Sequence, residues 1–191
     1  MYKLCKTEQS AERQRALERG LLEMMQTVPF DQISVTDLCE HMQIPRKAFY
    51  RYFTDKEGAL YALIDHTLME YELFTTGQKS KRRTLTGDIE QFFLYWKEQK
   101  PLLDALSRSG ITQVLVDRTV EQTMASGIIS ARFIHHESEN LRHHVIRFAL
   151  NGMLAMMLRW HQNGFETPAA ELAAIMANLL TQPLFTPADL I

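Results

Sequence analysis

The sequence lacks several features that would place it in a membrane or outside the cell. It has no run of about 18 apolar residues, so it predicts no membrane-spanning helix. Its N-terminal stretch is too rich in charged residues to hold the apolar core of a secretory signal. Only two cysteines are present, Cys5 and Cys39, which excludes a disulfide framework. We therefore expect a cytoplasmic protein with no membrane partner.

Strand patterns and catalytic motifs are also missing. Only 8 glycines and 6 prolines occur in 191 residues, they fall mainly between periodic segments, and no alternating strand pattern appears. This predicts an all-α chain. We find no nucleophile elbow, phosphate-binding loop, zinc-protease motif or diagnostic carboxylate pair. The sequence therefore predicts a protein that is not an enzyme, with no cofactor, no catalytic residue and no metal site.

The first third of the chain has clear helix start and stop signals. A first helix is predicted from about Glu8 to Thr27, where Val28-Pro29 ends it. Ser34 and Asp37 form a capping-box pattern that starts a second helix, which runs to about Met42 and places Cys39 on its buried side. After a turn at Gln43-Ile44, Pro45 suits the first turn of a third helix.

That third helix is basic and aromatic. Between Pro45 and Lys56 the chain has four basic residues and one acid, a charge of +3. Because the whole chain has a net charge of −2, the remainder carries −5. Thr54 and Glu57 form a second capping-box pattern, which predicts a fourth helix immediately afterwards. Two short helices joined by a tight turn are the arrangement that places a helix in the DNA major groove, and the local basic patch fits such a docking face.

The rest of the chain also reads as helical. The segment 76–88 is polar and basic and is interpreted as a loop, in which Lys81-Arg82-Arg83 is a solvated charge run. Shorter helices are predicted at about 89–99, 101–109, 111–124 and 128–136. Two long helices close the chain, one at about 140–163 and one that follows Thr167 as N-cap and Pro168 as first helical residue.

From Leu17 to Leu60 the sequence resembles the TetR family of bacterial transcriptional regulators. The resemblance depends on the segment from Phe30 to Cys39, on Ile44, and on Phe49-Tyr50-Arg51-Tyr52-Phe53 followed by Lys56-Glu57. Gln43 stands where the family usually has glycine, so we expect a left-handed, modestly strained backbone there. The resemblance implies an N-terminal three-helix helix-turn-helix DNA-binding domain, residues 1–57, and a C-terminal helical effector-binding and dimerisation domain, residues 58–191.

The same resemblance implies roles for particular residues. Arg46, Lys47, Ala48 and Arg51 are expected near base edges in the major groove, because arginine and lysine donate to guanine and alanine contacts the thymine methyl. Phosphate contacts are expected from these residues: Ser34, Thr36, Tyr50, Tyr52 and Lys56. Phe49 and Phe53 are expected in the core.

Two further surfaces follow from the family. A homodimer would read two half-sites of a palindromic double-stranded operator, roughly 34–36 Å apart or a multiple of that distance. Its expected interface consists of Leu141, Val145, Gly152, Met153, Trp160, Leu172, Ile175, Met176 and Leu179. A small-molecule effector pocket is expected among Phe92, Phe93, Trp96, Met124, Phe133, Phe148 and Met156, with Trp160 as a further candidate. Repression is the usual outcome in the family, although activators exist.

Other classes of function stay open at this point. His135-His136, His143-His144 and His161 raise the possibility of a metal-responsive regulator. Adjacent histidines on a helix point about 100 degrees apart, however, so neither pair chelates an ion by itself. A protein-interaction module without an organic ligand would explain the apolar helices. It would leave the basic segment from Arg46 to Lys56 unexplained.

Overall fold

A computed structural model describes residues 1–3, 5, 7–77, 84–126 and 139–182. Within these ranges the chain forms nine α-helices and one short 3-10 turn at Phe30–Gln32. The helices are α1 (Glu8–Met25), α2 (Val35–His41), α3 (Arg46–Phe49), α4 (Lys56–Gly77), α5 (Leu85–Glu98), α6 (Lys100–Arg108), α7 (Thr112–Ser126), α8 (Glu139–Gln162) and α9 (Ala169–Thr181). The all-α prediction is confirmed. The predicted helix 128–136, with Phe133, His135 and His136, and the Lys81–Arg83 run lie outside the described residues.

The chain divides into two compact units. One consists of Met1–Leu73 with Pro101–Thr119, and the other of Phe74–Lys100 with Val120–Ile191. The first unit includes the whole of the expected domain 1–57. It also includes most of α4, nearly all of α6 and the first half of α7.

Gly20 on α1 lies against the side chain of Met42, at the end of α2. A Cβ atom built on Gly20 would lie 2.1 Å from the Met42 sulfur, far inside van der Waals contact. Leu17, Leu21 and Met25 line the buried face of α1 around this contact. A larger residue at position 20 would therefore require the Met42 side chain to move.

The turn between α2 and α3 has the left-handed backbone that the sequence predicted. Gln43 has a φ of 53°. The amide of Ile44 then donates to the carbonyl of Cys39 over 2.9 Å, which closes the end of α2. Because a Cβ is crowded in this conformation, a glutamine here is less favourable than a glycine.

Replacing this glutamine should therefore stabilise the protein. We expect Gln43→Gly to raise the free energy of unfolding by roughly 0.5–1 kcal/mol, because the relief of left-handed strain exceeds the added chain entropy. Urea denaturation followed by circular dichroism measures this. Gln32→Gly, in the preceding 3-10 turn, is the matched control and should not stabilise. A loss of stability in Gln43→Gly would show that the turn is not strained.

Two predicted helix starts are wrong in detail. Pro45 is the N-cap of α3, with φ −70° and ψ 142°, and not its first helical residue. The expected Thr54–Glu57 capping box does not form, because the Thr54 hydroxyl bonds to the carbonyl of Met1. Asp55 caps α4 in its place: its Oδ1 accepts from the amide of Gly58 over 2.7 Å. Asp55 is the residue immediately before the first residue of α4, so its carboxylate reaches the free amide of Gly58.

The second unit is built on α5, which packs along α9 and also against α8. Aromatic rings fill its core: Phe93 lies edge-on to Trp160, with ring centroids 5.6 Å apart, and Trp160 stacks edge-on against Phe165 at 4.7 Å. The Trp160 indole donates to the carbonyl of Thr167 over 2.8 Å. Pro168, and not Thr167, is the N-cap of α9, since the carbonyl of Pro168 accepts from the amide of Leu172.

Candidate nucleic-acid interface

One face of the α2–turn–α3 segment is exposed and basic. The side chains of Arg46, Lys47 and Arg51 are all exposed. Phe49 and Phe53 point the opposite way and are fully buried, with ring centroids 5.2 Å apart. Because the aromatic side anchors the helix in the core, the basic side is presented to solvent as a fixed surface. Ala48 lies between these two sides and is half-buried.

The regular part of α3 covers only four residues, Arg46–Phe49. Hydrogen-bonded turns extend it, since the amides of both Tyr52 and Phe53 donate to the carbonyl of Phe49. This helix is shorter than the sequence pattern indicates, and it places Arg51 in the turn after the helix.

Tyr50 organises the exposed face. Its ring lies edge-on to the buried Phe49, with centroids 5.5 Å apart, while 42% of its surface stays exposed. Arg46 donates from Nη2 to the Tyr50 hydroxyl over 3.1 Å, and its guanidinium carbon lies 5.7 Å from the ring centroid. This hydrogen bond raises the pKa of Arg46 above its ordinary value. The arginine is therefore held over the face on which it would meet DNA, at a reduced cost in side-chain entropy on binding.

Ser34 and Asp37 form the capping box that the sequence predicted. The Ser34 hydroxyl accepts from the amide of Asp37 over 3.1 Å, and Asp37 Oδ2 accepts from the amide of Ser34 over 2.8 Å. Hydrogen bonds from the Ser34 side chain and then its backbone lower the pKa of Asp37. Ser34 and Thr36 are both exposed at the start of α2. The Thr36 hydroxyl takes no part in this cap, so a phosphate contact from Thr36 is compatible with it.

Two residues expected at phosphate lie in other surroundings. Tyr52 is buried, with 6% of its surface exposed, and packs against Phe53. The Lys56 ammonium donates to three backbone carbonyls: those of Phe30 at 2.8 Å, Asp31 at 3.0 Å and Ile33 at 2.8 Å. It also lies 4.7 Å from the centre of the Phe30 ring. All three ammonium protons are thus used to fix the 3-10 turn that precedes α2.

This geometry predicts a structural effect for Lys56. We expect Lys56→Met to lower the free energy of unfolding by about 1–3 kcal/mol, because the carbonyls lose a charged donor while the apolar stem is kept. A lysine on phosphate would change the salt dependence of DNA binding by about one unit of slope; Lys56→Met should not. Denaturation and a salt titration of DNA binding measure the two effects. An unchanged stability with a reduced slope would assign Lys56 to phosphate.

The described residues of the expected effector pocket differ in their exposure. Phe92, Phe93 and Trp96 are buried in the core of the second unit. Phe148 is the opposite case, with 66% of its surface exposed on α8. Met124 and Met156 are half-buried, on α7 and α8 respectively.

An open cavity of about 420 Å³ does lie in the second unit. It is formed by α8, the start of α9 and the connection between them. Its lining consists of Gly152, Met156, Arg159, Trp160, Asn163, Thr167 and Leu172. Met156 and Trp160 were candidates for a pocket, whereas Arg159 and Asn163 were not recognised from the sequence. Arg159 follows Met156 by three residues on α8, and Asn163 follows Arg159 by four, just after the helix ends. This spacing is the signal that would have placed them on one side.

Some of the expected dimer-interface residues form an exposed apolar face on α8 and α9. Leu141, Ile175 and Leu179 are exposed, and Phe148 lies on the same stripe of α8 as Leu141. Val145, Met153 and Leu172 are half-buried and Gly152 is exposed. Trp160 and Met176 are buried within their own unit.

The histidines form no metal site in the part of the chain that the structure describes. No group of three histidine, cysteine, aspartate or glutamate side chains is close enough there to hold an ion. His143 and His144 are exposed on α8, and His161 is half-buried. In the same ranges, no helix is long and apolar enough to cross a membrane.

The fold can be compared with known proteins. No family model matches the chain, and no curated protein matches it. Among solved structures, the chain is similar to one with a TM-score of 0.53 and 18% sequence identity. That structure is the dihydroxyacetone kinase operon activator DhaS, and the match covers 88% of this chain and 93% of the other. At this level of identity the likeness shows a shared fold.

Proposed function

We propose that this protein is a TetR-like transcriptional regulator that binds a palindromic operator as a homodimer. The observation that carries the proposal is the surface of α3. There Arg46, Lys47 and Arg51 are exposed together, while Phe49 anchors the opposite side in the core. A rigid basic face of this kind, after a capped helix and a tight turn, suits a major groove.

The proposal assigns separate roles to the exposed residues. Arg46 and Lys47 read base edges at the start of α3, with Ala48 against a thymine methyl and Arg51 one turn further on. Tyr50, Ser34 and Thr36 contact phosphates and fix the register. Lys56 and Tyr52 have structural roles. Lys56 donates to the carbonyls of the 3-10 turn, and Tyr52 packs in the core.

The exposed apolar face of α8 and α9 supports the homodimer. Large apolar side chains are exposed on both helices: Leu141 and Phe148 on α8, and Ile175 and Leu179 on α9. Such a face on two helices is suited to a four-helix contact between subunits. A dimer doubles the DNA surface and explains why a short, four-residue reading helix would suffice.

Regulation by a small molecule is the third part of the proposal. The cavity beside Met156 and Trp160 has a volume within the range of small-molecule sites. A ligand there would change DNA affinity only if it bound the DNA-competent and the DNA-free states with different affinity. The resemblance to the TetR family favours repression. The similar solved structure is named an activator.

Selection of DNA from a randomised duplex pool by the purified protein tests this function. We expect an inverted repeat, protected symmetrically in footprinting, with affinity that falls steeply with salt because phosphate counterions are released. A reporter with that repeat placed at a promoter then distinguishes repression from activation. If no sequence is enriched, with or without a metabolite extract, the proposed function is wrong.

A further inference from the structure

A buried ionic cluster lies behind the reading helix in the first unit. The carboxylate of Asp65, on α4, is 1% exposed. Its Oδ2 accepts from the Tyr2 hydroxyl over 2.7 Å, and its Oδ1 accepts from Nε of Arg118 over 2.8 Å. A second Arg118 nitrogen, Nη2, donates to Oδ2. We call Tyr2, Asp65 and Arg118 the Asp65 cluster.

The cluster extends to the backbone that follows α3. Tyr2 forms an isolated antiparallel bridge with Phe53. The amide of Lys3 donates to the carbonyl of Tyr52 over 3.0 Å, and the amide of Thr54 donates to the carbonyl of Met1 over 3.1 Å. Residues 1–3 are therefore paired with the segment that directly leaves the reading helix.

The start of α4 is fitted to the same short segment. A Cβ atom on Gly58 would lie 2.4 Å from the carbonyl oxygen of Met1. A side chain at this position would displace the N-terminal backbone, so residue 58 must remain small for the pairing to form.

Arg118 brings a third helix into the arrangement. Arg118 lies on α7, and its guanidinium carbon is 5.4 Å from the centre of the Tyr61 ring. Two of its nitrogens donate to the carboxylate of Asp65. Tyr61 and Asp65 are one turn apart on α4. The contacts thus run from α7 through α4 to Tyr2, and from Tyr2 to the backbone of Phe53.

Stability alone does not account for such a cluster. Removing a carboxylate from water costs several kcal/mol, and apolar side chains of similar volume are often as stabilising as a buried ion pair. A two-point arginine–carboxylate contact fixes the relative orientation of the two side chains, because its planar geometry permits only one orientation. Apolar side chains in contact permit several. Burial, and then the hydrogen bond to Asp65, raises the pKa of Tyr2, so its hydroxyl remains a donor near neutral pH.

We propose that the Asp65 cluster is a positioning device for DNA reading, which holds the end of the reading helix in one orientation relative to α4 and α7. The inference depends on the proposed function. Tyr2, Asp65 and Arg118 are positioning residues, because they act on DNA only through the backbone of Tyr52–Thr54. Loss of the cluster should then loosen that segment and reduce sequence discrimination more than total affinity.

Two variants test the cluster without emptying the core. Tyr2→Phe removes one hydroxyl and keeps the ring and the bridge, and Asp65→Leu combined with Arg118→Met replaces the ion pair by apolar side chains. Tyr61→Phe is the matched control, because it keeps the ring beneath Arg118. Hydrogen exchange of peptides spanning residues 51–55 in DNA-free protein is the first measurement. The ratio of affinities for the selected duplex and a scrambled duplex is the second.

We expect exchange in residues 51–55 to rise about tenfold in both variants and not in the control. The affinity ratio should fall about tenfold, while the paired variant keeps the unfolding midpoint of the wild type. Unchanged exchange overturns the inference whether or not the protein binds DNA. Faster exchange with an unchanged ratio also overturns it, because the segment would then not control reading.

If the wild type selects no duplex, the proposed function fails and the role of the cluster in reading fails with it. Exchange would still decide whether the cluster holds the segment. If the paired variant unfolds, Tyr2→Phe supplies the same comparison.

Discussion

The double variant Arg46→Ala/Lys47→Ala will lose specific DNA binding by on the order of a thousandfold or more, since a dimer loses four base-reading side chains. Both side chains are exposed, so their removal leaves the core intact. The single variant Tyr50→Ala should weaken binding less. It removes a phosphate contact, which affects all sequences, and it also releases Arg46, which affects the selected duplex more. Fluorescence anisotropy with the selected duplex and a scrambled duplex separates these effects.

Arg108→Ala is the matched control for this experiment. Arg108 is exposed on α6, outside the α2–turn–α3 segment, and its removal changes the net charge by the same sign. It should reduce affinity only through weak long-range electrostatics, which salt screens. The control removes one positive charge per subunit and the double variant removes two. If the control lost half as much binding free energy as the double variant, binding would depend on net charge, and α3 would then not be the reading element.

Much of the helix-turn-helix could be predicted because its signals are local. The Ser34–Asp37 capping box joins residues three apart, and both of its hydrogen bonds are present. The left-handed backbone at Gln43 was expected from the resemblance to the TetR family, which usually has glycine at this position. Even here the N-caps were off by one residue, because Thr54 is drawn to the Met1 carbonyl and leaves Asp55 to cap α4. The Met1 carbonyl is 53 residues away from Thr54 in the sequence, so no local sequence pattern predicts this hydrogen bond.

The Asp65 cluster shows where such reasoning stops. Its hydrogen bonds join residues 63 and 53 positions apart, so only the tertiary fold brings them together. One signal was present: Asp65 lies within the apolar stripe of α4, between Ile64 and Leu68, where a charge must find a partner. The identity of that partner could not be read from spacing. The same limit applies to the expected effector residues: Phe92, Phe93 and Trp96 are buried, whereas Phe148 is exposed.

Phe148→Asp will convert the proposed dimer into a monomer. With 66% of its surface exposed on the apolar face of α8, Phe148 is the most exposed of the large apolar side chains on α8 and α9 within the described residues. A dimer with two-fold symmetry would bury the new carboxylate twice, at a cost of several kcal/mol for each unpaired charge. We therefore expect the dissociation constant of the dimer to rise by more than about a thousandfold. Operator affinity should fall to that of a single half-site.

Sedimentation equilibrium gives the dissociation constant directly, and Met69→Asp is its control. Met69 is 49% exposed on α4, outside α8 and α9, so an aspartate there stays in water and should leave the assembly unchanged. The experiment also separates the two roles that the sequence left open for the long apolar helices. If Phe148 faced an effector, Phe148→Asp would leave the dimer intact and alter only the response to ligand. An intact dimer would therefore exclude this face as the interface. A folded monomer with reduced operator affinity would show that α8 affects DNA binding only because it holds the dimer together.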